Sequence, residues 1–135
     1  MTIESEHLWN KAGPLMKKLL NTFLVMNLVV EAPVGISLIL APTSFLSAHH
    51  AEAAIWARNY GVAAFAVSTF IFWLWPHRDS YSTTGVALGF LMCFHTILSG
   101  ALFTAEALLP GAILHSAFAL MCIVLYFQRS KWCVT

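Results

Sequence analysis

Charge is what this sequence has least of. Lys, Arg, Asp and Glu make up 10% of its 135 residues, the formal net charge is +1, and 59% of the chain is hydrophobic, with a mean hydropathy of +0.76. Soluble domains carry about a quarter charged residues, so a water-exposed globule is excluded and a membrane protein is expected. There is no basic run, and without a clustered Lys/Arg face the chain has no electrostatic footprint for nucleic acid. Cysteine is scarce. Cys93, Cys122 and Cys133 stand singly, odd in number and without a Cys-x-x-Cys spacing, which excludes a disulfide framework and a dithiol redox motif. No cleavable leader is expected in this stretch, because the first apolar run, after Lys17-Lys18, is about 23 residues long and lacks a small-residue cleavage site. It reads as a retained helix.

What is present is a set of four long apolar stretches, at about residues 19–41, 53–75, 85–107 and 111–128. At 1.5 Å per residue, 23 residues span about 35 Å, enough to cross a hydrocarbon core of about 30 Å. Polar or Pro/Gly punctuation separates them: Pro42-Thr43-Ser44, then Pro76 with His77-Arg78-Asp79-Ser80, then Pro110-Gly111, and finally Arg129, Lys131 and Trp132. Met1 to Gly13 reads as a short interfacial arm set off by a Gly13-Pro14 break. Pro33 is expected to kink the first helix at Glu31, since it withholds an N–H and crowds the carbonyl of Val29. The expected fold is all-α, one membrane domain over 1–135, a four-helix transmembrane bundle with up-down topology.

Lys11, Lys17, Lys18, Arg78, Arg129 and Lys131 all fall on one side of such a topology, and the opposite loops hold no Lys or Arg. The positive-inside rule then puts both termini and the middle loop in the cytoplasm. Trp73, Trp75, Tyr81, Tyr126 and Trp132 fall near the same surface, as an interfacial aromatic belt does.

Ionisable groups inside the spans are expensive and mark sites by default. Counting back from the outer loops puts Glu31 roughly 15 Å deep, Arg58 roughly 10 Å, His115 roughly 9 Å and His95 roughly 19 Å, with Glu106 near the surface. Arg58 cannot shed its proton, so it needs a partner, and the similar depth of Glu31 on the preceding helix predicts a Glu31–Arg58 pair. Asn27, one turn before Glu31, and Tyr60, beside Arg58, complete the candidate ligand-binding or ion-pair set. His95, Ser99 and Glu106 share one face of the third helix, and His115, Cys122 and Tyr126 one face of the fourth. Gly85-x-x-x-Gly89, with Gly100 further on and Gly61 in the second span, reads as small-residue packing positions that let helices approach closely, either internally or in a homodimer.

Each candidate has a plainer reading. A Glu–Arg pair serves equally as a register lock, a membrane histidine as an interhelical hydrogen-bonding group, and Cys93 and Cys122 as small core residues. His49 and His50 lack two further ligands at useful spacing, so no metal site is read. Haem held between His95 and His115 is disfavoured because their depths differ by about 10 Å, and the cofactor, if any, is left unknown.

The Ala41-Pro42 end of the first helix and the Ala57-Arg58-Asn59-Tyr60-Gly61 opening of the second resemble those of uncharacterised small four-span membrane proteins of bacteria, families that imply a fold and no activity. From Ala57 to His95 the chain is also similar to the endoplasmic-reticulum scaffold protein of ergosterol synthesis, in its Ala-Arg-x-aromatic-Gly, its polar turn with His77 and Tyr81, and its deep His95. That family has a Glu soon after the third-span His, where this chain has Thr96 to Gly100. Glu31 with the histidines also resembles, as a type of arrangement, the four-span sterol isomerases that use buried acids.

The leading functional expectation is a multi-pass membrane accessory or scaffold protein without catalytic activity of its own, in contact with lipids and with other membrane proteins or itself. A bacterial inner membrane is preferred over the endoplasmic reticulum. The alternatives are a lipid-pocket enzyme or small-ligand binder using the outer-half polar cluster, and a small transporter.

Overall fold

The computed structural model describes residues 3–45, 51–104 and 108–134. Among them the chain is helical throughout, with no strand. Helix α1 runs Ile3–Leu40, α2 Ala51–Ser68, α3 Phe70–Leu74, α4 Tyr81–Leu102 and α5 Leu109–Gln128. Three segments are long and apolar enough to cross a membrane: Gly13–Leu40, Tyr81–Leu102 and Leu109–Lys131. Two units form, one of Met1–Phe23 with Leu74–Thr135, the other Leu24–Trp73.

Several boundaries differ from the sequence reading. Gly13-Pro14 does not break α1, which is continuous from Ile3 and also runs through Pro33. Gly13 is there for packing, since a Cβ on it would lie 2.6 Å from the Lys131 carbonyl oxygen. The stretch expected as one span over 53–75 is interrupted at Thr69, separating α2 from α3. Ser68 and Thr69 turn their hydroxyls back onto the carbonyls of Phe65 and Ala66, at 2.6 and 2.8 Å, and such back-bonding competes with the helical ladder. Helix α4 starts at Tyr81, four residues before the expected Gly85. Ser80 accepts from the Thr83 N–H as an N-cap, so Ser82-Thr83-Thr84 form the first turn of a helix rather than part of a loop. The same helix ends at Leu102, short of the expected 107, and α5 opens at Leu109 with Pro110 in its first turn, where a missing N–H is harmless.

In the first unit α4 and α5 form an antiparallel hairpin. Its register is fixed from end to end by Gly85 against Arg129, His95 against His115, Ser99 against Ser116 and Gly111 against Leu102. Phe23 of α1 packs edge-on against Phe118, with ring centroids 5.6 Å apart, among the buried Leu20, Leu88, Leu91, Cys122 and Leu125. At one end of this unit Lys17 pairs with Asp79 at 2.8 Å. The C-terminal tail joins there by a parallel bridge of Ser80 with Val134.

In the second unit α1 and α2 cross at Gly35 and Gly61. A Cβ on Gly35 would lie 2.8 Å from the Gly61 carbonyl oxygen, and one on Gly61 2.8 Å from that of Gly35. These two backbones touch, which only glycine allows. Gly61 thus has the packing role expected of it. Gly89 and Gly100 have no such role within the chain, because nothing among the described residues lies within 4 Å of a Cβ placed on either, while Gly85 makes room for the side chain of Arg129 instead of a helix backbone.

Candidate functional site

The polar centre of the first unit is made by residues that α4 and α5 present to each other. His95 and Ser99 lie one turn apart on the buried stripe of α4, with Thr84, Leu88 and Leu91. His115 lies on the buried stripe of α5, with Ala112, Phe118 and Cys122. The hairpin register brings the imidazoles together, Nδ1 to Nδ1 at 3.0 Å, with ring centroids 5.2 Å apart and planes inclined by 24°. Both side chains are buried. This corrects the expected 10 Å offset in depth. His95 lies seven residues before the end of α4 and His115 six residues after the start of α5, so the helix ends as built set the two at nearly equal depth.

A hydrogen bond between two Nδ1 atoms requires that one carry the proton and the other be bare. The donor imidazole then presents an accepting Nε2 and the acceptor a protonated Nε2, so the pair has one donor end and one acceptor end. Aromatic edges surround His95: Phe118 at 5.0 Å, Phe94 at 5.2 Å and Phe23 at 6.3 Å between centroids. One turn away Ser99 lies 2.6 Å from Ser116, and both hydroxyls reach the carbonyl of Ala112, at 3.0 and 2.9 Å. With two hydroxyl protons for three contacts, one proton goes to the carbonyl and the other bridges the oxygens.

Two nitrogen donors 3.0 Å apart are half of a tetrahedral metal set, where the sequence reading found none. They are too close to flank one metal from opposite sides, which at about 2.0–2.1 Å per bond needs roughly 4 Å between them. The depth difference expected to disfavour haem ligation is therefore absent.

In the second unit Asn27 and Glu31 are buried on the same stripe of α1 as Leu24 and Leu38, and each is engaged in an interaction. Glu31 is 1% exposed, whereas Arg58 is exposed, and no ion pair joins them. The expected pair is not formed, because the turn of α2 that meets α1 is the one carrying Gly61 and Phe65. Tyr60 is half-buried within the electrostatic reach of Glu31. Glu106, His49 and His50 lie outside the described residues. Cys122 is buried as a core residue, while Cys93, assigned the same role, is exposed.

Ser116, Phe23, Phe118 and Gly35 were not singled out in the sequence. For Ser116 and Phe118 the available signal was the hairpin itself: once the loop is placed between Leu102 and Leu109, the spacing of His95 and His115 from it pairs the two helices. Comparison with protein-family models, curated proteins and solved structures finds no match.

Proposed function

We propose that this chain is a small multi-pass integral membrane protein that binds a small polar ligand at the His95–His115 pair. The observation that carries this is the buried Nδ1–Nδ1 contact at 3.0 Å. Its plainer role is to clamp α4 to α5, but the hairpin already has the Ser99–Ser116 and Ser99–Ala112 contacts one turn away. Interhelical hydrogen bonds in membranes average only about 0.6 kcal/mol, little return for desolvating two imidazoles. Imidazoles that can both donate and accept, each also engaged in a further contact, suit a ligand bearing a hydroxyl, a carbonyl or an amide, and suit proton exchange with it.

Placement in the membrane draws support from Lys17–Asp79 and from Gly13 against Lys131, which gather the Gly13–Lys17 stretch of α1, the turn before α4 and the end of α5 at one end of the first unit. That is the cation-rich end, which the positive-inside rule assigns to the cytoplasm. A scaffold or accessory role is the second reading, favoured by Gly89 and Gly100, whose open face on α4 leaves room for another helix.

The deciding experiment compares wild type with His115→Ala, each extracted gently from its own membrane and analysed by native mass spectrometry. A small molecule held by wild type and missing from the variant supports the ligand reading. A protein partner held equally by both, with no small molecule, overturns it in favour of the scaffold.

A further inference from the structure

Opposite in character to the histidine centre is the end of the first unit where α3 gives way to α4 and where α5 ends. Arg78 lies 4.5 Å over the Trp75 ring and donates through Nη1 to the Trp75 carbonyl. Arg129 lies between two tyrosines, 3.9 Å from the ring of Tyr126 and 4.2 Å from that of Tyr81, and donates through Nη1 to the Tyr126 carbonyl. Both arginines are thus held by neutral groups, ring faces and carbonyls, which orient a guanidinium without neutralising it. Each Nε is buried without a hydrogen-bond partner among the described residues, so contact with an outside anion falls to the terminal nitrogens of each guanidinium. Among the described residues the acid of this layer, Asp79, pairs with Lys17 at 2.8 Å.

The two arginine-bearing turns are also tied together. The Arg78 carbonyl accepts from the Trp132 indole N–H at 3.3 Å, and the Val134 N–H donates to the Asp79 carbonyl at 2.7 Å. Around them Lys18 and Trp75 are exposed, and Phe127, two residues before Arg129, is 75% exposed. Preoriented, uncompensated guanidinium groups next to outward apolar and aromatic side chains match a molecule with a phosphate at one end and hydrocarbon at the other.

We propose that this end of the unit binds the headgroups of anionic phospholipids, with Arg78 and Arg129 making the phosphate contacts. A guanidinium fork suits two phosphate oxygens, and the aromatic braces reduce the side-chain freedom lost when a headgroup docks. The acyl chains lie along the exposed face of α5 at Val124 and Phe127. Zwitterionic lipids offer the same phosphate beside a cationic amine, which this layer repels. The proposal is independent of the ligand assigned to the histidine pair.

The test uses the full chain in nanodiscs of equal phosphatidylcholine and phosphatidylglycerol, with native mass spectrometry reading which lipid stays bound. Wild type is expected to retain phosphatidylglycerol preferentially, with the preference falling as salt is raised. Arg78→Gln and Arg129→Gln should each reduce it about fivefold, the equivalent of ~1 kcal/mol per cation, and Arg78→Lys and Arg129→Lys should retain most of it. Equal retention of the two lipids by wild type, or an undiminished preference in helical Arg→Gln variants, overturns the proposal. Should those variants lose their helical circular dichroism, the wild-type salt titration decides, and a salt-independent preference overturns it. Displacement of the lipid by millimolar inorganic phosphate also overturns it, in favour of a soluble phosphate ligand.

Discussion

The Nδ1 atoms of His95 and His115 lie 3.0 Å apart, inside the hairpin of α4 and α5. The two residues are twenty positions apart in sequence, on helices joined by a short connection. Their meeting depends on where each helix ends.

If that contact is a hydrogen bond, the two substitutions will not be additive. A double-mutant cycle of His95→Ala and His115→Ala, read by unfolding in mixed micelles, should give a coupling of about 0.6 kcal/mol, with about 1.7 kcal/mol as the upper end for membrane helices. Additivity within experimental error would mean that the rings are neighbours and nothing more.

Gly35 and Gly61 should be far less tolerant than the glycines of α4. Alanine at either places a methyl 2.8 Å from a backbone oxygen, so the helices must separate, at about 1–3 kcal/mol. Gly89→Ala and Gly100→Ala meet open space and should stay within about 0.5 kcal/mol of wild type. Thermal unfolding of the four variants in one detergent checks the ranking, and equal effects across all four would contradict the crossing.

Glu31 and Arg58 should behave independently. Arg58 is exposed and Glu31 buried, so a cycle of Glu31→Gln and Arg58→Gln should show coupling below about 0.5 kcal/mol, as for separated sites. A larger coupling would restore the pair that depth alone had predicted.

Cys133 lies beyond the last apolar helix, and burial pushes its thiol above the ordinary value of 9.0, with Asp79 adding to the shift while Thr84, Arg129 and Lys17 oppose it. The folded chain therefore holds the neutral thiol to a higher pH than the unfolded chain does. Any stability from this site is full below about pH 9 and is lost as pH rises through the folded value. In a Cys93→Ala/Cys122→Ala background, alkylation at pH 8 should be slower in the folded protein than after denaturation. Equal rates would show that the tail is open.

Much of the architecture was legible in the sequence because a scarcity of charge leaves few arrangements. Long apolar runs bounded by Pro42, Pro76 and Pro110 had to be helices, since backbone groups in hydrocarbon must be satisfied within their own segment. His95 and His115 stood out because ionisable groups are rare in such runs. Their mutual distance did not, because carrying the third span to residue 107 instead of Leu102 adds five residues, about 7.5 Å, to the depth of His95. Ser80 belongs by sequence to a polar turn, and its cap on Thr83 sets the start of α4 at Tyr81.

The sequence by itself determined the helical class, three of the four expected apolar spans and the chemical identity of the few polar groups placed within them, because composition and period act locally along the chain. Tertiary structure decided which of those groups meet. It joined His95 to His115 and left Arg58 exposed, and it assigned close helix contact to Gly35 and Gly61 rather than to the stripe on α4. The reason is that a helix fixes which residues share a face, while register and crossing point depend on side chains from two helices fitting at once, which no single segment encodes.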